Sequence, residues 1–384
     1  MTKACYVGVA GKARKVKKIY TGVANKARKV KKAYVGVGGK ARLFFSADQK
    51  LGYYGTVTGL SQGRDDLAAT TVGDYGLFGG GVDFIFGNSY FATVDAYTTS
   101  LVRSTPTALS KARSALAATT VGDYGLFGGG LDSVNSVSAA VDAYTTSLVR
   151  STPTALSKAR GDLAATTVGD YGLFGGGTFN NSYFATVDAY TTSLVRSTPT
   201  ALSKARGALA AATVGTYGLF GGGWDSGKSV SAAVDAYTTS LVRSTPTALS
   251  KARSALAATT VGDYGLFGGG LDRTSFSGSA TVDAYTTSLV RSTPTALSKA
   301  RGYLAATTVG DYGLFGGSWA FGTNFTIVES ATVDAYTTSL VRSTPTALSK
   351  ARGALAATTV GDYGLFGGGG ANDGLATVDA YSLV

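Results

Sequence analysis

The chain has 384 residues, 54 of them Gly, with no His, a single Cys and a formal charge of +12. Without His there is no imidazole base, no His-based triad and no imidazole metal ligand, and one Cys makes neither an internal disulfide nor a Cys-rich zinc site. No stretch approaches the ~18 apolar residues of a membrane span, and the start, Met1-Thr-Lys-Ala-Cys5, does not read as a signal peptide.

Residues 1–45 form the first expected unit. Tyr6-Val-Gly-Val-Ala-Gly-Lys-Ala-Arg-Lys-Val-Lys-Lys18 returns at Tyr20 and in part at Tyr34, a period of 14 residues. Each copy reads as a strand, a turn (Ala10-Gly11, Ala24-Asn25, Gly38-Gly39) and a basic strand, so consecutive β-hairpins are expected. The segment carries 13 Lys and Arg and no Asp or Glu, leaving 35 − 13 = 22 basic against 23 acidic residues in the remainder. The net charge therefore belongs to the hairpins. Three readings stand for them: contact with nucleic acid or an anionic surface through basic residues interleaved with Tyr, plain solvated charge, or assembly. Assembly is favoured, because small hairpins need partner strands to bury a Tyr and Val face. Tyr6, Tyr20, Tyr34, Lys15 and Lys29 are then the attachment residues, and no nucleic acid is expected as partner.

Residues 46–384 form the second expected unit. A phrase such as Leu116-Ala-Ala-Thr-Thr-Val-Gly-Asp-Tyr-Gly-Leu-Phe-Gly-Gly-Gly130 opens at Leu67, Leu116, Leu163, Leu209, Leu256, Leu304 and Leu355, in steps of 49, 47, 46, 47, 48 and 51 residues. Periods of roughly 40 to 50 residues indicate propellers, solenoids or arrays. Within one unit, Leu116 to Val121, Tyr124 to Phe127, Ala140 to Thr145 and Ser151 to Leu156 read as four strands separated by turn residues. The fold class is all-β, a seven-bladed propeller of four-stranded blades with Leu-Ala-Ala-Thr-Thr-Val innermost. Thr-Ala-Leu-Ser-Lys-Ala-Arg occurs six times, and Thr58-Gly-Leu-Ser-Gln-Gly-Arg64 matches it from the N-terminal side. A strand over Gly55 to Ser61 would thus complete the last blade and close the ring.

These landmarks resemble the kelch repeat of β-propellers: an apolar strand, a strand ending in double glycine (Leu126-Phe127-Gly128-Gly129), a Val-x-x-Tyr strand (Val141, Tyr144) and a closing Arg160. The resemblance covers residues 55 to 384. The family's Trp, about seven residues after the Tyr, has no counterpart near Arg150 and Ser151, so Leu148, Val149 and Pro153 are expected to pack between blades instead. Some kelch propellers are copper oxidases, but their His and Cys-Tyr chemistry is missing here.

Variation is confined. The stretches joining the second and third strands differ in every unit: Val82 to Phe91, Leu131 to Ala139, Thr178 to Phe184, Trp224 to Ala232, Leu271 to Ala280, Ser318 to Ser330 and Gly370 to Leu375. The links after each Arg vary too, and strand order puts both sites on one face. The turns of the opposite face, Val-Gly-Asp-Tyr and Thr-Thr-Ser-Leu-Val-Arg, are nearly constant. The varied stretches and links hold Phe84, Phe86, Tyr90, Phe91, Phe179, Tyr183, Phe184, Trp224, Asp225, Phe276, Tyr303, Trp319, Phe321 and Phe325 amid Ser, Asn and Gly. Rings amid small polar residues are what paratopes use, and rings also stack on sugars. Free drift of unconstrained loops is the bland alternative, but drift favours polar residues over rings.

No catalytic constellation, metal or cofactor is expected. A carboxylate pair for sugar hydrolysis would have to come from Asp65, Asp66, Asp83, Asp132, Asp162, Asp225, Asp272 or Glu329. One Asp per blade (Asp95, Asp142, Asp188, Asp235, Asp283, Asp334, Asp379) is too few ligands for Ca²⁺. Contacts with the recurring Arg are the expected role. The hairpin copies, ending in Tyr34-Val-Gly-Val-Gly-Gly-Lys-Ala-Arg-Leu-Phe-Phe45, resemble short repeats in tail-associated proteins of tailed bacteriophages and prophages. That resemblance implies a non-enzymatic receptor-binding or adhesion protein of the virion tail, made in the host cytoplasm. Its expected partners are a cell-surface polysaccharide or protein, tail or baseplate proteins and, as a homotrimer, its own copies. The rival readings are an intracellular kelch-type interaction scaffold and a glycan-degrading enzyme.

Overall fold

The computed structural model describes residues 6–9, 12–15, 20–23, 26–29, 32–37, 40–46, 49–84, 89–133, 136–227, 229–272, 277–321, 326–370 and 374–384; before residue 49, and at 320 and 321, it describes backbone only. Two compact units emerge: Met1–Gly52 with Leu383–Val384, and Tyr53–Ser382.

In the first unit three antiparallel hairpins follow one another, Tyr6–Val9 with Lys12–Lys15, Tyr20–Val23 with Lys26–Lys29, and Lys32–Val37 with Lys40–Ser46. Register repeats with the sequence: Tyr6 lies opposite Lys15, Tyr20 opposite Lys29, and Tyr34 opposite Leu43.

The second unit is a seven-bladed β-propeller. Seven four-stranded antiparallel sheets recur, for example Ala117–Val121, Tyr124–Gly128, Val141–Thr145 and Arg150–Ser151. Inner strands neighbour one another in order, and Ala356–Val360 meets Ala68–Val72 to complete the circle. The inner strand alternates: Ala117, Thr119 and Val121 are buried between blades, while Ala118 and Thr120 line the axis. Small side chains at the axis let seven strands converge. Each axial threonine, Thr71, Thr120, Thr167, Thr213, Thr260, Thr308 and Thr359, donates its hydroxyl to the carbonyl of its counterpart in the preceding blade, a closed ring of bonds.

The second and third strands are buried along nearly their whole length, the second as a short apolar run and the third with a buried Asp at its second position. Between blades the core repeats: Phe127 meets Tyr144 edge-on at 5.9 Å and 87°, with Leu109, Leu116 and residues of the preceding blade around them. Such an edge-on pair contributes ~0.5–1.5 kcal/mol beyond its burial. The double glycine has a packing reason. A Cβ on Gly128 would stand 2.7 Å from Phe174 Cε1 of the next blade, and Gly129 turns the chain at φ +71°.

Two expectations about the outer strand are corrected. It is Arg150–Ser151, not Ser151 to Leu156; Leu156 is a buried plug in an irregular crossover to the next blade. The closing strand comes from the N-terminal side as expected, but as Leu51–Val57 rather than Gly55 to Ser61, and it pairs with Val378–Leu383. Of the residues expected to replace the missing Trp, Leu148 packs against the inter-blade core. Val149 does not: it is 61% exposed, because Leu148 takes the inward position at the tip of the turn, at φ +62°.

Buried charge ties each blade to the crossover that reaches it. Asp188 Oδ2 accepts from Arg160 at 2.8 Å and Oδ1 from Arg196 at 2.9 Å and from the Ser157 N–H at 3.0 Å. Arg160 also donates to the carbonyls of Phe174 and Lys158. Asp188 and Arg160 are fully buried, so the repeated Asp and Arg are structural partners. In the seventh blade the outer Arg is replaced by Tyr53, whose hydroxyl donates to Asp379 Oδ1 at 2.6 Å.

Candidate functional site

The varied stretches start at the end of the second strand, and their first or second residue pairs with the blade link. Val82 bridges Asp65, Leu131 bridges Ser114, Thr178 bridges Gly161, Leu271 bridges Ser254 and Trp319 bridges Gly302; Arg206–Gly207 pairs with Trp224–Asp225. The two variable sites of the sequence are thus hydrogen-bonded to each other on one face. Their variation is also coupled sterically across blades. A Cβ on Gly302 would fall 2.6 Å from Leu271 Cγ, and one on Gly353 would collide with Trp319. At these two links the loop-opening Leu271 and Trp319 leave room for glycine alone, whereas Trp224 is followed by Ser254.

Three loops rise as short hairpins among the described residues, Val82–Asp83 with Ser89–Tyr90, Leu131–Ser133 with Ser136–Val137, and Thr178–Phe179 with Ser182–Tyr183. Among the described residues the sixth blade has the longest paired arm. Its strands Tyr312–Phe321 and Ile327–Thr337 continue past the sheet, pairing Trp319 with Glu329 and Phe321 with Ile327, and the arm leaves Ile327 and Val328 exposed.

The structure places the expected aromatic residues differently from one another. Phe84 is exposed. Tyr90, Phe91, Phe179, Tyr183, Phe184, Trp224, Tyr303 and Trp319 are half-buried. Phe321 is placed on the sixth-blade arm by its backbone, while Phe86, Phe276 and Phe325 lie outside the described residues. Tyr303 and Trp319 stack in parallel at 3.9 Å and 9°. Asp225 faces Lys204 at 3.9 Å and caps its own loop by accepting from the Gly227 N–H. The attachment residues Tyr6, Lys15, Tyr20, Lys29 and Tyr34 are described by backbone alone, in the hairpins.

Two features were not singled out from sequence. The constant Lys of the crossover reaches into the loop of the next blade: Lys111 pairs with Asp132, Lys204 with Asp225, and the Lys158 ammonium sits 5.7 Å over the Phe184 ring. The second is at the axis. The link residues Asp66, Ala115, Asp162, Ala208, Ala255, Tyr303 and Ala354 all have φ between +49° and +52°. Each donates its N–H to the carbonyl of the one before it at 2.8–3.0 Å, closing a seven-membered ring. This ring is the mouth of a pit of about 200 Å³ floored by the seven phrase-opening leucines. Burial and the nearby Asp162 carboxylate push Asp66 up to about 7, and burial raises Asp162 while a bond from the Thr178 hydroxyl opposes it.

Neither a protein-family model nor a curated protein sequence matches the chain. Among solved structures similar in fold is one described as "Structure of YjhT", with a TM-score of 0.57 and 11% identity, covering 70% of this chain and 93% of that one. At that identity the likeness is one of fold. The chain is an all-β protein built on a seven-bladed propeller. No helix among the described residues is long and apolar enough to cross a membrane, and no group of three or more His, Cys, Asp or Glu among them could hold a metal ion.

Proposed function

We propose that this is a non-enzymatic binding protein whose varied face recognises a cell-surface glycan or protein, with the basic hairpins attaching it to a phage or prophage tail. One observation carries the reading. Val102, Val149, Val195, Val242, Val290 and Val341 are 61–62% exposed on the constant turns, more open than Phe84, Ile327 or Val328 on the varied loops, yet are the same in all six blades that have this turn. Exposure alone therefore does not explain the changes; diversity belongs to one face, and that face is rich in rings. The kelch resemblance is kept as part of this reading, since the double glycine ends the second strand and the Tyr lies on the third. A scaffold role inside a cell has no feature of its own in its favour.

The test replaces the six longer varied stretches with the shortest, Gly370 to Leu375, and compares binding to a glycan array and to candidate host cells. Loss of binding with an unchanged β-sheet circular dichroism spectrum is expected; undiminished binding refutes the reading. Glycan cleavage is the second reading, favoured by Asp66 held near 7 beside a second carboxylate. It predicts release of reducing ends from polysaccharide, abolished by Asp66→Asn.

A further inference from the structure

The link ring breaks the sevenfold repeat in a specific place. Four blades put Ala there, so Ala satisfies the left-handed backbone, the ring of hydrogen bonds and the leucine floor. Asp66, Asp162 and Tyr303 are departures the fold does not require. Tolerance of positive φ explains an Asp in general, but it does not explain a choice the other blades make differently, nor a Tyr. All three line the same pit.

Their chemistry is complementary. The Asp66 carboxylate receives no hydrogen bond or ion pair from a described residue. Lys111 and Lys204 pair with Asp132 and Asp225 on the loops, and Lys158 lies over the Phe184 ring. Asp162, exposed at the mouth, already accepts from the Thr178 hydroxyl, while the half-buried Asp66 carboxyl is held partly protonated near neutral pH, so a cation entering between them favours the ionised form of Asp66. Tyr303 forms a flat wall, held in place by its stack on Trp319. At about 200 Å³ the pit is smaller than the ~300–1,000 Å³ usual for drug-sized ligands, which suits one end group rather than a chain.

We infer that the axial mouth is a subsite for an amine-bearing sugar residue at the end of a surface glycan, its ammonium between Asp66 and Asp162 and its ring face against Tyr303. This rests on the receptor-binding reading and names the ligand class for its centre. A lysine side chain would satisfy the carboxylates alone; the apolar floor and the flat ring wall are what favour a pyranose.

The full chain is tested on an array carrying chitosan tetrasaccharide, with free amines, beside chitin tetrasaccharide, whose amines are acetylated, among other glycans. Preference for the free amine by at least tenfold is expected, and Asp66→Ala/Asp162→Ala, which restores the residue four blades already carry, removes it. Equal binding of the two sugars, or a preference that survives the double variant, overturns the subsite. If other glycans are bound with no amine preference, the subsite alone fails. If no glycan and no host cell is bound, the receptor reading fails with it.

Discussion

Asp188→Ala isolates the buried charge that joins one blade to the next. The substitution leaves the Arg160 guanidinium fully buried with only the carbonyls of Phe174 and Lys158 to bond. Burial already pulls the Arg160 pKa down, and the Asp188 charge is what opposes that. Removing one partner of a buried pair costs ~3–5 kcal/mol. The propeller unit runs from Tyr53 to Ser382, which is 382 − 53 + 1 = 330 residues. At roughly 2.1 cal/mol/K per residue its unfolding entropy is about 0.7 kcal/mol/K, so Tm should fall by about 4–7 °C. Arg196→Ala is the comparison. Arg196 is 24% exposed and its loss leaves the Asp188–Arg160 pair intact, so a cost near 1 kcal/mol and a shift of about 1–2 °C are expected. Replacing the pair by apolar residues, Arg160→Met/Asp188→Leu, should recover much of the loss. Calorimetry at pH 7 reads all three, and an Asp188→Ala shift within about 1 °C of Arg196→Ala would refute the reasoning.

Asp66 gives a pH signature. Its folded pKa, about 7, lies above the unfolded value of 3.8, so the native state binds the extra proton between those values and stability falls as pH rises through that window. Asp66→Ala should flatten the decline in Tm from pH 4.5 to 7.5; an unchanged slope contradicts the assignment. Gly128→Ala drives a methyl against Phe174 and should cost ~1–3 kcal/mol in urea unfolding, whereas a neutral result would show the inter-blade contact to be slack. Tyr53→Phe removes the bond to Asp379 that closes the seventh blade, at a cost near 1 kcal/mol, and should raise amide exchange along Val378–Leu383 relative to the third strands of the other blades.

Much of the fold was written in repetition. The 46-to-51-residue steps announced blades, and the near-match of Thr58–Arg64 to the crossover phrase announced closure. The outer strand is shorter than its apolar run suggests because Leu156 looks like a strand residue but is a plug in an irregular crossover, while the expected contact of Arg160 with the repeated Asp is made. The closing strand was displaced for a related reason: Tyr53 does the work of an arginine, and nothing in its type says so. At the varied face, composition revealed the aromatic content and strand order revealed the side. The axial ring was hidden, since four of its seven members are alanines whose left-handed backbone leaves no trace in sequence. Asp66, Asp162 and Tyr303 gain meaning only once the ring brings three distant blades to one pit.

The most direct test of a diversified recognition face uses one blade and two probes. In a Cys5→Ser background, Ser226→Cys lies exposed on the varied loop of the fourth blade and Val242→Cys, 61% exposed in the native residue, on its constant turn. Each is coupled to a 5-kDa-class polyethylene glycol and tested for binding to the host surface or array glycan that the unmodified chain recognises. Blocked binding from position 226 and undisturbed binding from position 242 is the predicted result; the reverse pattern would contradict the account.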